Sequence, residues 1–383
     1  MGLASELLIV MPRTPRIYRG IALAAVFLTA LATGACSSAA HSSRVAYVTI
    51  SSGINAYRLD TVSGSVTSIF SSPFVVGSSP FGIALDPSNQ FAFVANQGEN
   101  TISLLKIDVA SGSLKEVLPR TSAGQSPGPM LMDSGGHFLF VANQGSNDIS
   151  VFSIASSGAL SPVTQPNGSL TVPVGSTPSD LSMPNSGNLL FVSVPTFSSV
   201  YAFTVSSGAL TAAPGSPVAV ADGLTSVTAS PTGNYVYIPN PATNTISGYS
   251  VHPAAPALLQ MLPGSPFVNL CGTAAAATCP TPVGAAFSPG GNHLYVANYG
   301  STDLSQYTIN TSTGALTAIT TTAPTAGTNP SFIMFDPGGI FAYVANVGSK
   351  SITQLKLNSD GSLSSNGNSI QVGDVPRALA FTQ

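Results

Sequence analysis

Apolar and polar residues alternate along most of the chain, as in "FAFVAN" (91–96) followed by "TISLLKI" (101–107). A period of two is that of a β-strand, whose successive side chains point to opposite faces. Nearly the same words return in "FLFVAN" (138–143) and "DISVFSI" (148–154). Aligning the run that ends in or near Asn gives seven copies, starting at Ala46, Ala92, Leu139, Leu190, Val236, Leu294 and Ala342. Their spacing is 46 to 51 residues except for one interval of 58, which holds a Cys-containing insertion at about 266–281.

Each copy has one grammar. A short run after a Pro, such as "FGIALD" (81–86) or "SFIMFD" (331–336), leads into turn words such as "DPSNQ" or "DPGGI". Pro presets φ for a tight turn and Gly accepts positive φ on leaving it. The "YVAN" run, the "TIS" run and a weaker run after "SG" or "TG" follow, so four antiparallel strands per copy are predicted. The Asn that ends the second strand is read as a turn residue, and the Gly of "VANQG" as the left-handed residue of the hairpin.

A four-stranded sheet that is apolar on both faces cannot bury them alone. Stacked radially, each sheet covers its neighbours and the ring leaves only short edges. The chain ends support closure: the first copy lacks its leading run, while "VPRALAFTQ" at the C-terminus is a leading run without followers. The expected fold class is therefore all-β, a seven-bladed β-propeller over residues 45–383. Strand 377–382 is expected to complete the sheet begun by residues 45–70.

Composition narrows function. Charged residues make up 7% of the 383, and net charge is −3 with 11 Lys and Arg, too few for the basic surface that a phosphate backbone requires. Nucleic acid is not an expected partner. There is no zinc spacing, no phosphate-binding Gly loop and no Gly-x-Ser-x-Gly elbow, so no metal or cofactor is expected. Asp148 and Asp303 lie on blade turns without the clustered oxygen ligands of a Ca²⁺ site.

Arg13, Arg16 and Arg19 precede "IALAAVFLTALATGA" (21–35), the order of a signal peptide over residues 1–35, with Met11 an alternative start. The run ends in "LATGAC", which resembles a bacterial lipobox and makes Cys36 the expected lipidation site. Ordinary cleavage after Ala32 or Ala40 is the alternative. Residues 36–44 would then be a tether, the protein exported, and its membrane contact made through lipid alone. Outside the cytoplasm, Cys271 and Cys279 are most simply a disulfide that closes an Ala-rich loop.

The words "YVAN-x-GS" and "TG-x-L" closely resemble those of the YVTN and lactonase-like seven-bladed propellers, a group that includes 6-phosphogluconolactonase. That resemblance implies a site at the mouth of the central channel, with His, Arg and acidic residues at the start of the inner strands. Here those starts read Phe81-Gly82, Gly128-Pro129, Ser179-Asp180, Thr225-Ser226, Val283-Gly284, Ser331-Phe332 and Arg377-Ala378. Only Asp180 and Arg377 carry charge, and no histidine is present. They are candidates for the base and the oxyanion partner of lactone hydrolysis, unless they pair with each other or face channel water. So sparse a set favours a binding or surface-scaffold protein for an unidentified neutral ligand or envelope protein. A lactone hydrolase or related cyclase is the alternative, and assembly into a surface layer a third possibility.

Overall fold

Strands form where the alternating runs stand. In the second copy they are Pro80–Leu85, Phe91–Asn96, Thr101–Ile107 and Leu114–Ser122, hydrogen-bonded in that order and all antiparallel. The computed structural model describes residues 43–220, 223–252, 256–270, 280–320 and 325–383. The expected signal peptide (1–35), Cys36, the tether before Ser43 and the Cys271–Cys279 pair lie outside the described residues. Among those described, seven sheets of this kind follow one another along the chain.

The first sheet has two contributors. Ser43–Ile50, Gly53–Asp60 and Val66–Ser68 supply three strands, and the C-terminal Ala378–Phe381 supplies the innermost, pairing Ala46 with Phe381 through Thr49 with Ala378. This is the closure expected of the ring. The innermost strands of blades 1 to 7 are thus Ala378–Phe381, Pro80–Leu85, Pro127–Met132, Asp180–Ser182, Thr228–Ala229, Pro282–Phe287 and Pro330–Phe335. In blades 3 to 5 the outer edge is made in two pieces; in blade 5 these are Leu259–Met261 and Phe267–Val268. The segment read as an insertion from about 266 therefore begins as part of that edge.

Burial follows the pleat. Val45 and Tyr47 pack on one side of blade 1 against Ile83 and Val94 of blade 2, while Ala46 and Val48 pack on the other against Tyr343 of blade 7. The described residues form seven apolar clusters, one between each pair of adjacent blades. Apolar burial between blades is the main force that holds the ring. Buried tyrosines add a directional link. The hydroxyls of Tyr47, Tyr237 and Tyr295 donate to the carbonyls of Gly112, Gly314 and Gly361 in the following blade, at 2.9, 2.6 and 2.6 Å.

The repeated Asn is more than a turn former. Asn96, Asn143, Asn240, Asn298 and Asn346 have no exposed surface, and each spans its hairpin with Nδ2. Asn96 donates to Thr101 Oγ1 and Ser103 Oγ at 3.1 and 2.9 Å, and Asn240 donates to Thr245 Oγ1 and Ser247 Oγ at the same distances. In blade 3 the first acceptor is Asp148, at 2.7 Å, which ties that carboxylate into the hairpin.

At Gly98, Gly145 and Gly348 the glycine two residues after the Asn has a different reason from the one expected, whereas Gly300 of blade 6 is left-handed, at φ 86°. The left-handed residues in the hairpins of blades 2, 3, 5 and 7 are Asn100, Asn147, Asn244 and Lys350. Gly98 instead passes against the loop from the preceding blade: its N–H donates to Ser78 O at 3.1 Å, and a Cβ would run into the Ser78 side chain. The constraint is close approach, not φ.

Candidate active site

The seven innermost strands enclose a hollow of about 770 Å³, and every blade contributes to its wall. The volume lies in the range of small-molecule sites. It has two mouths. At the upper one the inner strands begin, with Phe81, Ser179, Thr225, Val283, Ser331 and Arg377; at the lower one they end, with Ser288, Pro289, Asp336 and Pro337.

Hydroxyls join the strand starts around the upper mouth. Thr49 Oγ1 donates to Phe81 O and accepts from the Ala378 N–H at 3.0 Å. Ser179 Oγ donates to Thr225 O at 2.8 Å, and Thr225 Oγ1 donates to Val283 O at 2.6 Å. These bonds satisfy inner-strand backbone that has no fifth strand to pair with.

Both sequence candidates line this hollow, Asp180 from blade 4 and Arg377 at the head of the blade 1 inner strand. Three steps around a seven-membered ring separate them, so they stand on opposite sides, and no ion pair joins them. Asp180 Oδ1 accepts the Leu181 N–H at 2.9 Å and Oδ2 accepts the Val227 N–H at 3.2 Å. Burial pushes its carboxyl up to about 7, against the opposing pull of those two N–H groups. Arg377 is held by its backbone, whose N–H donates to Thr49 O at 2.9 Å. Its guanidinium lies 5.9 Å from the centre of the Phe81 ring, a cation–π contact that leaves its donors free for a ligand. The arrangement puts a carboxyl that titrates near neutrality opposite an uncommitted cation.

Three wall residues were given no role from sequence. Ser226, named only as part of an inner-strand start, has its Oγ enclosed without a hydrogen-bond partner, one residue before the amide that holds Asp180. Tyr299 follows the Asn of blade 6, where the repeat pattern suggested only a turn. Asp336 belongs to the turn word "DPGGI" and closes the lower mouth; its side chain is 4% exposed, bonds Arg44 at 3.1 Å, and accepts the N–H groups of Gly338, Ile340 and Phe341. It is committed to structure. His137, His252 and His293 lie outside the channel wall. Among the described residues no group of three His, Cys, Asp or Glu is placed to hold a metal.

Blade 4 departs from the repeat where it brings the acid. Val194 replaces the clamping Asn, and a 3₁₀ turn, Pro195–Phe197, replaces the usual hairpin.

Comparison with known proteins agrees with this architecture. A family described as lactonase, 7-bladed β-propeller, matches residues 39–174 and 199–381. The stretch between them contains Asp180, so that residue rests on its own geometry. Among solved structures, the periplasmic gluconolactonase of Pseudomonas aeruginosa is 21% identical, with a TM-score of 0.72 over 89% of this chain and 99% of its own. A candidate 6-phosphogluconolactonase from Bacteroides fragilis is 18% identical, with a TM-score of 0.73 over 89% and 98%. A protein from Lactobacillus plantarum is 20% identical, with a TM-score of 0.72 over 89% and 99%. At these identities the likeness is one of fold. No curated protein sequence matches the chain. With a match over most of its length and the ring closed as described, the chain belongs to the seven-bladed β-propeller lactonase family.

Proposed function

We propose that the protein hydrolyses lactones at the upper mouth of its central channel. The observation that carries this reading is that Asp180 and Arg377 line one hollow from opposite sides, unpaired with each other. In the reaction, Asp180 as carboxylate takes a proton from water while the water oxygen forms a bond to the lactone carbonyl carbon. The charge that develops on the carbonyl oxygen is met by the Arg377 guanidinium. The ring C–O bond then breaks and the proton on Asp180 passes to the departing alkoxide, leaving a hydroxy acid. A base whose pKa lies near the working pH is suited to this transfer.

This reading is better supported than the non-catalytic scaffold expected from the sparse charge of the inner strands. Family membership and the lactonase names of the neighbours favour it, and of the two non-catalytic alternatives for Asp180 and Arg377 the ion pair is absent. The test is pH-stat turnover of simple γ- and δ-lactones by the purified protein. Turnover should rise with pH through about 7, and Asp180→Asn should lose about 10²–10⁴-fold. Full activity of Asp180→Asn would remove the acid from the mechanism, and no turnover of any lactone would return the protein to a binding role. We also propose export with acylation of Cys36, which mass spectrometry of the mature N-terminus would test.

A further inference from the structure

We infer that the lactone taken by this channel carries an uncharged, apolar substituent, directed down the hollow, and not a phosphate or a polyhydroxyl chain. The inference rests on the hydrolytic reading above and concerns the part of the substrate remote from the reacting bond.

The charge in the wall argues first. The charged side chains that line the hollow are Asp180, Arg377 and Asp336, the last already neutralised by Arg44 at 3.1 Å. A phosphate dianion is typically bound by a guanidinium fork together with further donors or cations. Here the single Arg377 is occupied by the developing oxyanion. An anionic tail entering at the upper mouth would pass the Asp180 carboxylate in a partly dehydrated hole, where charge repulsion is least screened. The wall offers no second cation lower down, since Asp336 there is already paired with Arg44.

The walls below the upper mouth argue next. Between the two mouths the wall carries Met130, Leu131, Phe332, Met334 and Phe335 on blades 3 and 7, with the small polar Ser182 and Thr228 on blades 4 and 5. Met334 remains 37% exposed although it sits within an inner strand, an apolar side chain with space beside it. A sugar-like chain placed here would exchange water for thioether and hydrocarbon and lose hydrogen bonds at each hydroxyl. An alkyl chain gains from the same exchange. The inner strand Pro330–Phe335 is six residues long, which at about 3.3 Å per residue gives a wall of roughly 20 Å, deep enough for a chain of several carbons.

The experiment measures kcat/KM for δ-lactones whose alkyl substituent grows from methyl to hexyl, beside glucono-δ-lactone and its 6-phosphate. Each added methylene should raise kcat/KM about 4-fold, the equivalent of ~0.8 kcal/mol per buried CH₂, until the channel is filled. Both sugar lactones should fall below the hexyl compound, the phosphate furthest. Met334→Asp should abolish or reverse the chain-length trend, with circular dichroism used to confirm that the variant is folded. A flat or falling series in the wild type, or preference for either sugar lactone, overturns the inference while lactone hydrolysis stands. If no compound in the panel is hydrolysed, the hydrolytic reading fails, and this inference with it.

Discussion

The backbone N–H of Val227 reaches from blade 5 to Oδ2 of Asp180 in blade 4 at 3.2 Å, so the candidate base is held across a blade boundary. Two N–H donors do not compensate for its burial, and its pKa stands at about 7 where an unfolded Asp titrates near 4. The consequence for stability has a definite sign. Below about pH 4 the carboxyl is protonated in the folded and unfolded chains alike and carries no penalty. Between about 4 and 7 the unfolded chain gives up a proton that the folded chain keeps, so stability falls as pH rises; above about 7 the penalty is complete. Asp180→Asn should therefore melt above the wild type at pH 8, with the gap closing towards pH 4. Calorimetry at four or five pH values checks it, and a constant difference across the range would show that Asp180 does not titrate as described. Activity and stability would then be opposed at one residue, as expected of a functional group kept against its environment.

Arg377 should show the opposite separation. With no carboxylate partner and its guanidinium only in loose contact with Phe81, its cation contributes little to folding. Arg377→Met should leave unfolding within about 1 kcal/mol of wild type. Its kcat for lactones should fall by about 10²–10³, the cost of losing one oxyanion donor. Arg377→Lys should recover part of the rate, because a point charge remains although the planar fork is lost. A variant that loses stability along with activity would place the residue in the scaffold.

The buried Asn residues supply a prediction about the repeat itself. Removing Asn96 leaves Ser103 and Thr101, which accept its two hydrogen bonds, under the same hairpin, and disturbs Ser103 where its hydroxyl meets Glu116. Asn96→Ala should cost about 1–3 kcal/mol in urea unfolding, the penalty for stranding buried polar groups. Lactone turnover should be unchanged, since the hairpin lies outside the channel wall. A neutral substitution would reduce the motif to turn chemistry alone.

That motif also marks where sequence reading stops. The period-two runs and the unfinished leading run at the C-terminus were enough to specify seven blades and their closure, because strand faces and ring topology are encoded locally. The partner of each Asn, five and seven residues on, was visible in the letters, but its burial was not, and so the residue was read only as a turn former. Gly98 was assigned to φ for the same reason: one sequence does not distinguish a left-handed glycine from one pressed against a neighbouring loop. Asp180 and Arg377 were found because a Pro fixes the register of six of the seven inner strands, theirs included. Whether they would meet or stand apart depended on the ring. Asp336 was missed because an Asp-Pro-Gly word denotes a turn, and only closure brings that turn to the lower mouth.

Ring closure yields the last prediction. Thr49 is fully buried; it donates to Phe81 O, accepts the Ala378 N–H at 3.0 Å, and receives the Arg377 N–H on its carbonyl at 2.9 Å. The same strand places Leu379 and Phe381 in the cluster shared by blades 7 and 1, with the Phe381 and Tyr343 rings 4.8 Å apart. Ending the chain after Arg377 would strip those contacts and leave Ala46–Thr49 as an unpaired edge beside an exposed apolar face. Such an edge is a template for another chain. The truncated protein should show concentration-dependent association in light scattering. Phe381→Ala, which keeps the strand, should remain monomeric at a cost of about 3–5 kcal/mol. A truncated chain that stays monomeric and melts with the wild type would mean that the other six blades hold the ring without its closing strand. The apolar clusters argue against that outcome, because each blade buries its two faces only against two neighbours.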